Sequence, residues 1–425
     1  MRRLAALMMV AAIAATACGG SGVGTPRTMT GNLVIASFNS FSVSNADFGP
    51  EEYAGCYAAV QLINRAGGVL GHSLDCIKVD TRGDPAVGAL AARTMLAATP
   101  NLVAVVGPGS DEALATVPLI DRARIPFFPA AGQGAFDQSG YKYLWRLVPS
   151  DDAAGYAMAI WAHKQGYLRG AAVFGGDVTS QANVPTLLKG FRQLGGTIVV
   201  NQSLVAKASY AAEVGAVIAA QADVIFTEVD ARSAADFLSQ LLARRPPIPI
   251  VGTQATLEPG WLAAVSASIG AQTLANSFVG VQPYAAPQGR PWEIFNEALL
   301  ASGTDVPNPG QWSTDPYTIS DYDAVTIVAL AMVAAGTTDP AVFNPFIRTV
   351  TTAGASRVVV HTYSEGLSAL RTGHQIQYAG PSGPIVFDQW QNSPAGFSVA
   401  SYDPSGQTTL IDSITAAAVG SLSSH

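Results

Sequence analysis

The chain has 425 residues, of which 49% are hydrophobic and only 12% are charged, and its formal net charge is −7. A chain of this length and apolar content can bury more than one hydrophobic core, which excludes a largely disordered protein. The acidic balance excludes a nucleic-acid-binding surface and electrostatic attachment to an anionic membrane.

The first 31 residues are interpreted as an export and anchoring segment. Arg2 and Arg3 precede a short apolar run, which is typical of a signal peptide over residues 1–17 and too short to span a bilayer. The stretch "AATAC" resembles a bacterial lipobox ending at Cys18, although alanine stands where leucine is commonest. We therefore expect a lipidated Cys18 and a flexible tether over residues 18–31. Simple cleavage before an incidental Cys18 stays open.

From residue 32 onward, apolar strand-like runs alternate with helical ones. Pro50 suits the first position of a helix, Glu51 and Glu52 favour the positive end of its dipole, and Gly67 ends it. Asp84 is expected to cap the next helix. The first series comprises strands 32–38, 74–80, 102–108 and 125–132 and helices 50–66, 85–98 and 111–123.

A second series of the same kind begins near residue 150, and a looser region follows it. The alternation predicts an α/β fold in which helices cover parallel sheets. A long apolar helix at 320–336 is expected to be buried, and residues 416–425 are expected to form a frayed tail. The remaining predicted elements are helices 151–166, 182–194, 209–220 and 231–244 and strands 170–176, 197–205, 222–230, 248–254, 277–284, 383–388 and 396–403.

Two cysteines remain besides Cys18. Cys56 lies on the first predicted helix and Cys76 on the strand after it, and these are neighbouring elements in a βαβ unit. Export places both in an oxidising compartment, so we expect a Cys56–Cys76 disulfide. Two buried thiols are the alternative.

The sequence contains no recognisable catalytic, metal or cofactor motif. There is no GxSxG, no Walker lysine and no CxxC, and the histidines lack ligand spacing. Asp321 and Asp323 flank Tyr322 at a predicted helix start, where acids suit the helix dipole. We therefore expect neither an enzyme, nor a bound cofactor, nor a metal site.

Five stretches in order resemble the type I periplasmic binding proteins, and more narrowly the branched-chain amino-acid (leucine/isoleucine/valine) binding family of ABC transporters. The most distinctive is "LINRAGGVLGHSLDCIKVDTRGDPAVGALAA". The others are "VVGPGSDEALATVPLIDRARIPFFPAAG", "YLWRLVPSDDAAGYAMA", "YDAVTIVALAMVAAG" and "GPSGPIVFD", so that the resemblance covers roughly residues 32 to 403.

This resemblance implies two doubly wound parallel-sheet lobes joined by a three-crossing hinge. The crossings are expected near 146–150, 280–284 and 389–394, and the ligand is expected between the lobes. The implied division gives residues 32–147 and 285–388 to lobe 1, and residues 150–280 and 396–415 to lobe 2.

The resemblance also implies which loops contact a ligand. In lobe 1 the candidates for a ligand carboxylate are Ser110, Asp111, Ala130, Ala131 and Gly132, with Gly132 in place of the family's usual threonine. Asp111 is unexpected there, because an acid repels a carboxylate unless it points away or caps its helix.

In lobe 2, Ser180 and Asp230 stand where the family has tyrosines, and Gln254 stands at the acid that meets the ligand ammonium. Two outcomes are open. Asp230 or Glu228 takes over the charge and preserves amino-acid binding, or the ligand lacks an α-ammonium, as a simple carboxylate, amide or other small polar metabolite does. The sequence alone slightly favours the second.

The implied function is that of a monomeric solute-binding lipoprotein. It would capture a small polar metabolite outside the cytoplasm, anchored by lipid to the outer face of the bacterial cell membrane, and deliver it to an ABC permease. The tether, and the lack of a fused kinase or transmembrane segment in the sequence, favour this over a ligand-sensing ectodomain of the same fold.

Overall fold

A computed structural model describes residues 29–109, 111–285, 287–393 and 395–423. The predicted signal peptide, the predicted lipidation of Cys18, and the predicted site residue Ser110 lie outside the described residues. The helices are α1 (Phe48–Arg65), α2 (Pro85–Ala98), α3 (Ala113–Arg122), α4 (Asp151–Lys164), α5 (Val178–Ala182), α6 (Val184–Gln193), α7 (Ala211–Ala219), α8 (Ala231–Leu242), α9 (Pro259–Ile269), α10 (Ala271–Ser277), α11 (Arg290–Leu300), α12 (Pro316–Ala335), α13 (Pro340–Thr351), α14 (Tyr363–Arg371) and α15 (Ala416–Ser423).

The strands form three sheets, which confirms the predicted α/β class. The first sheet is parallel throughout, in the order β2-β1-β3-β4. The largest has the order β14-β13-β9-β8-β7-β5-β6, with β14 and β13 antiparallel at one end, and a small third sheet has the order β10-β11-β12. The strands are β1 (Leu33–Asn39), β2 (Leu74–Asp80), β3 (Leu102–Val106), β4 (Phe127–Phe128), β5 (Arg169–Gly175), β6 (Thr197–Leu204), β7 (Val224–Glu228), β8 (Ile250–Gly252), β9 (Phe278–Pro283), β10 (Val358–Val360), β11 (Ile376–Gly380), β12 (Gly383–Pro384), β13 (Phe397–Tyr402) and β14 (Thr408–Ile414).

The buried hydrophobic residues form separate cores, each drawn from one of two parts of the chain. Two clusters draw only on residues 29–147 and 285–387, and these regions are called lobe A. Two others draw only on residues 156–281 and 397–419, which are called lobe B. Because no described cluster combines the two sets, each lobe buries its own apolar surface, and the lobes can move relative to each other without exposing a core.

The segments that run between the lobes pair with one another. The backbone N–H of Arg146 donates to Gln391 O at 3.0 Å, and Ser393 N donates to Arg146 O at 2.8 Å. The Arg146 guanidinium donates to Asn392 Oδ1 at 3.0 Å and forms an ion pair with Asp137. These bonds hold two of the connecting segments side by side.

Helices α1 and α12 of lobe A approach each other closely, and this approach positions several acidic residues. A Cβ on Gly55 would lie 2.1 Å from the carbonyl oxygen of Thr318, so only glycine fits there. The Thr318 hydroxyl donates to the Glu51 carbonyl at 2.9 Å. The first turn of α1 is thereby fixed beside Asp315, which caps α12.

The predicted disulfide is confirmed, since Cys56 on α1 and Cys76 on β2 are bridged with their Cα atoms 6.2 Å apart. Helix α12 is also long and apolar enough to cross a membrane. However, 83% of its apolar window is buried, as expected for a core helix of lobe A.

Three expectations about local structure are wrong. Residues 416–423 are not frayed but form α15, whose Val419 is buried in the core of lobe B because the segment has an apolar face. The strand expected at 125–132 is limited to β4, because Pro129 after it provides no ladder donor, and the strand expected at 383–388 is limited to β12, whose last residue, Pro384, also lacks a backbone N–H.

Candidate functional site

A cavity lies between the two lobes where the connecting segments meet. Its volume is about 50 Å³, which is room for a few water molecules and well below a typical ligand pocket. A ligand therefore needs the lobes to separate before it enters. The cavity is lined by Phe48, Glu51, Glu52, Gly109, Ala130, Gly132, Pro149, Ser150, Asp151, Ala154, Thr179, Asn183, Glu228, Thr253, Gln254, Ala255, Val281, Pro283, Tyr317 and Phe397.

Three aromatic side chains contribute to the apolar part of the lining. Phe48 opens α1, Tyr317 lies in the first turn of α12, and Phe397 opens β13. Rings of this kind offer both apolar area and a negatively polarised face to a ligand.

The polar part of the lining carries four carboxyl groups and, among the described residues, no Lys, Arg or His. The four belong to Glu51, Glu52, Asp151 and Glu228. None of them forms an ion pair with a described residue, and the basic residue that lowers the pKa of Asp151, Arg146, is paired with Asp137. The cavity is therefore strongly acidic without an internal counter-charge.

Glu228 is the last residue of β7 and projects into the cavity from lobe B. Its Oε2 accepts hydrogen bonds from the Thr253 hydroxyl at 2.6 Å and from Asn183 Nδ2 at 3.0 Å. Burial raises the pKa of Glu228 to about 7, while the bond from Thr253 acts in the opposite direction. The two neutral donors orient this carboxyl but do not neutralise it.

The carboxyl of Asp151 occupies the space beside Gly132 that a side chain at position 132 would otherwise fill. A Cβ on Gly132 would lie 2.0 Å from Asp151 Oδ1, and Asp151 N donates to Gly132 O at 2.7 Å. Asp151 Oδ2 is buried and accepts no hydrogen bond from a described residue. Burial, followed by repulsion from Glu228, raises the pKa of the Asp151 carboxyl well above its usual range.

Gln254 connects the cavity to a second group of acids. Its Nε2 donates to Glu258 Oε1 and to Asp315 Oδ2, both at 3.0 Å, and Glu51 lies beside them. Burial raises the pKa of Glu51 and of Glu258 well above the usual range, and it raises the pKa of Asp315 to about 6.

Four of the residues predicted from the sequence line the cavity: Ala130, Gly132, Glu228 and Gln254. Ala131 is instead buried in the core of lobe A, next to them in sequence.

Three other predicted residues do not line the cavity, and the side chain of each is engaged in hydrogen bonds to another residue. The Asp111 carboxylate accepts hydrogen bonds from Thr179, which itself lines the cavity. The Ser180 hydroxyl donates to Asp177 at 2.7 Å, and Asp230 caps α8 by accepting from Ser233 N at 2.9 Å. Asp230 is therefore not among the residues that line this cavity.

The acidic lining from α1 was not anticipated. A favourable interaction with the helix dipole accounts for the position of Glu51 and Glu52 in the sequence but not for their burial, since they are 0% and 1% exposed. One signal was available in the sequence: the two acids stand in the stretch "FGPEEYAGCYAAV", whose other residues are apolar or small, so neither side of the helix offers an obvious solvent face.

Comparison with known proteins identifies relatives of the same architecture. The family model described as periplasmic binding protein matches residues 33–396. None of the curated proteins compared with the chain matches it significantly in sequence.

Several solved structures share the fold at low sequence identity. A leucine-binding protein of Thermotoga maritima is 18% identical, with a TM-score of 0.71 over 90% of this chain and 99% of that one. A fatty-acid ABC transporter substrate-binding protein of Thermomonospora curvata is 15% identical, with a TM-score of 0.72 over 93% of this chain and 95% of that one. An R. palustris solute-binding protein in complex with 4-hydroxybenzoate is 16% identical, with a TM-score of 0.70 over 90% of this chain and 97% of that one.

Proposed function

We propose that this chain, which belongs to the periplasmic binding protein family, is the solute-binding component of an ABC importer. We further propose that its ligand is a small organic cation. The observation that carries the ligand class is the set of buried carboxyl groups between the lobes. They have no basic partner among the described residues.

A cationic ligand accounts for the charge of the cavity. Burying an ionised carboxylate without a partner costs several kcal/mol, so such a group either binds a proton or meets a cation. A protonated amine that entered between Glu228 and Asp151 would supply that cation. The fixed donors Thr253 and Asn183 leave Glu228 oriented toward it.

The aromatic lining supports the same ligand class. An organic ammonium is attracted to the face of a ring, and its alkyl part packs against the ring at the same time. Phe48, Tyr317 and Phe397 provide such surfaces around the carboxyl groups.

The loops that the family resemblance assigns to a ligand carboxylate are unsuited to an anion here. Gly132 provides no hydroxyl, and the carboxyl of Asp151 stands directly against it. Leucine, fatty acids and hydroxybenzoate carry a carboxylate, so the solved relatives named above do not define the ligand of this chain. The proposal takes one part from each of the two outcomes left open by the sequence. Glu228, and not Asp230, takes over the charge, as in the first, but the ligand is not an amino acid, because it carries no carboxylate.

The transport role rests on the family and on the N-terminal segment. We propose that Cys18 anchors the protein by lipid to the outer face of the bacterial membrane, and that ligand-induced closure presents one shape to a permease. Stimulation of the permease-associated ATPase by the liganded protein distinguishes import from sensing, because a pure sensor would leave the ATPase rate unchanged.

Native mass spectrometry of protein purified gently from its own cells tests the ligand class. We expect a bound small molecule whose exact mass and fragments contain a basic nitrogen and no free carboxylate. A bound acid without a basic nitrogen would overturn the proposed ligand class while leaving the family assignment intact.

A further inference from the structure

We propose that Glu51, Glu258 and Asp315 form a binding site for a hard divalent cation of the size of Ca²⁺, which ties the two lobes together next to the ligand cavity. This site shares Glu51 with the lining of the ligand cavity but includes neither Glu228 nor Asp151, between which the organic cation is proposed to bind. It does not depend on the identity of the organic ligand.

The geometry of the three carboxylates suits such an ion. One oxygen from each residue lies within 4.8 Å of the others. Ca²⁺ binds oxygen at about 2.3–2.6 Å, so oxygens on opposite sides of the ion stand roughly 5 Å apart. A donor set made only of oxygen favours Ca²⁺, Mg²⁺ or Mn²⁺ over metals that prefer sulfur or imidazole.

The second observation is that buried oxygens at the same place lack hydrogen-bond donors. Glu51 is 0% exposed, and its carboxylate oxygens have no described hydrogen-bond donor other than the neighbouring carboxyl of Glu258. Glu258 Oε2 and Gln254 Oε1 are also buried without a described donor. Buried acceptors in this condition are costly, and a cation satisfies several of them at once.

Gln254 can join the coordination without a change of backbone. Its amide already lies against Glu258 and Asp315 through Nε2. A half-turn of the terminal amide exchanges Nε2 for Oε1, which converts a donor to the carboxylates into a fourth oxygen ligand. Three carboxylates and one amide oxygen resemble the ligand chemistry of known calcium sites.

The position of the site gives it a mechanical consequence. Glu51 in α1 and Asp315 at the start of α12 belong to lobe A, whereas Glu258 at the start of α9 belongs to lobe B. A groove of about 720 Å³, lined in part by Glu258 and Asp315, provides a route for the ion from solvent. An ion bound there therefore favours the closed arrangement of the lobes.

Calcium titration of the purified mature protein, stripped with a chelator and free of added organic ligand, tests this site. We expect saturable binding by calorimetry, a rise in Tm with Ca²⁺, and at least a tenfold weaker affinity in Glu258→Gln. Asp315→Asn, which keeps an oxygen for capping α12, should weaken binding in the same way if Glu258→Gln folds poorly. Glu297→Gln, an exposed acid on α11, is the matched control and should bind Ca²⁺ like the parent.

Two results would overturn the proposal. One is the absence of heat and of any Tm shift in the parent protein at about 10 mM Ca²⁺, Mg²⁺ or Mn²⁺, well above the affinities of extracellular calcium modules. The other is an unchanged affinity in both substituted proteins. Because no organic ligand is present in the titration, either failure leaves the proposed organic-cation site untouched.

Discussion

The carboxylate of Asp111 in lobe A accepts two hydrogen bonds from Thr179 in lobe B, one from the backbone N–H at 3.0 Å and one from the hydroxyl at 2.5 Å. Asp111 lies in the loop after β3, and Thr179 lies in α5 beside the cavity. This pair is a direct polar contact between the lobes, and it exists only when they are closed.

Replacing Thr179 by valine should therefore favour the open arrangement. The hydroxyl donates to a charged group, and such a bond contributes about 1.5–3 kcal/mol, so the ratio of closed to open protein should fall by roughly tenfold or more. Small-angle scattering of the ligand-free protein should show a larger radius of gyration in Thr179→Val. Thr197→Val, at an exposed threonine of lobe B, is the control; scattering curves that coincide for all three proteins would argue against this contact as a latch.

Glu228→Gln should abolish retention of the natural ligand. Gln keeps the size of the side chain but removes the charge, and losing one partner of a buried charge pair costs about 2–5 kcal/mol. Native mass spectrometry should then find the ligand in the parent protein and in Glu297→Gln, but not in Glu228→Gln. Retention of the ligand by Glu228→Gln would show that this carboxyl is not its partner.

The ligand-free protein should lose stability as the pH rises from about 5 to about 8. Burial raises the pKa of Glu228 to about 7 and that of Asp323 to about 6. A carboxyl whose pKa is raised by folding stabilises the folded state below its unfolded pKa, and this contribution is lost as the pH rises through the folded pKa. For Glu228 alone the change is on the order of 3 kcal/mol.

Urea unfolding at several pH values measures this dependence. The decrease in unfolding free energy between about pH 5 and about pH 8 should be smaller in Glu228→Gln than in the parent, and unchanged in Glu297→Gln. If the unfolding free energy decreased equally with pH in the parent and in Glu228→Gln, ionising the Glu228 carboxyl would cost no free energy in the folded protein.

Removing the disulfide should destabilise lobe A. The Cys56–Cys76 bridge closes a loop with a sequence separation of 20, for which the chain-entropy model gives about 3 kcal/mol. Cys56→Ala/Cys76→Ala should unfold at a correspondingly lower urea concentration than the oxidised parent. Peptide mapping of exported protein without reduction checks the bridge itself, and two free thiols there would contradict it.

The fold could be predicted from the sequence because its signals are local. Gly67 ends a helix, Asp84 caps α2 through Ala86 N and Val87 N at 2.8 Å, and apolar runs mark the buried strands. The antiparallel end of the large sheet was harder to predict, since β14 alternates exposed and half-buried residues and resembles a surface loop.

The candidate site was only partly predictable, because a shift of two residues decides which carboxyl enters the cavity. Glu228 ends a strand and Asp230 begins a helix, and the exact boundary between them depends on packing in lobe B. The group formed by Glu51, Glu258 and Asp315 could not be foreseen. Its members are more than 50 residues apart in sequence, and only the contact between the lobes brings them together.

Calorimetric titration of ligand-free protein with a panel of small molecules at pH 7 tests the central claim most directly. The panel should contain amines without a carboxylate, such as 1,4-diaminobutane and choline, with leucine and benzoate as carboxylate-bearing comparisons. We expect an organic cation to bind with an affinity near micromolar, about −8 kcal/mol, and this binding to be lost in Glu228→Gln but kept in Glu297→Gln. Micromolar binding of benzoate, with no measurable binding of any amine in the panel, would contradict the account.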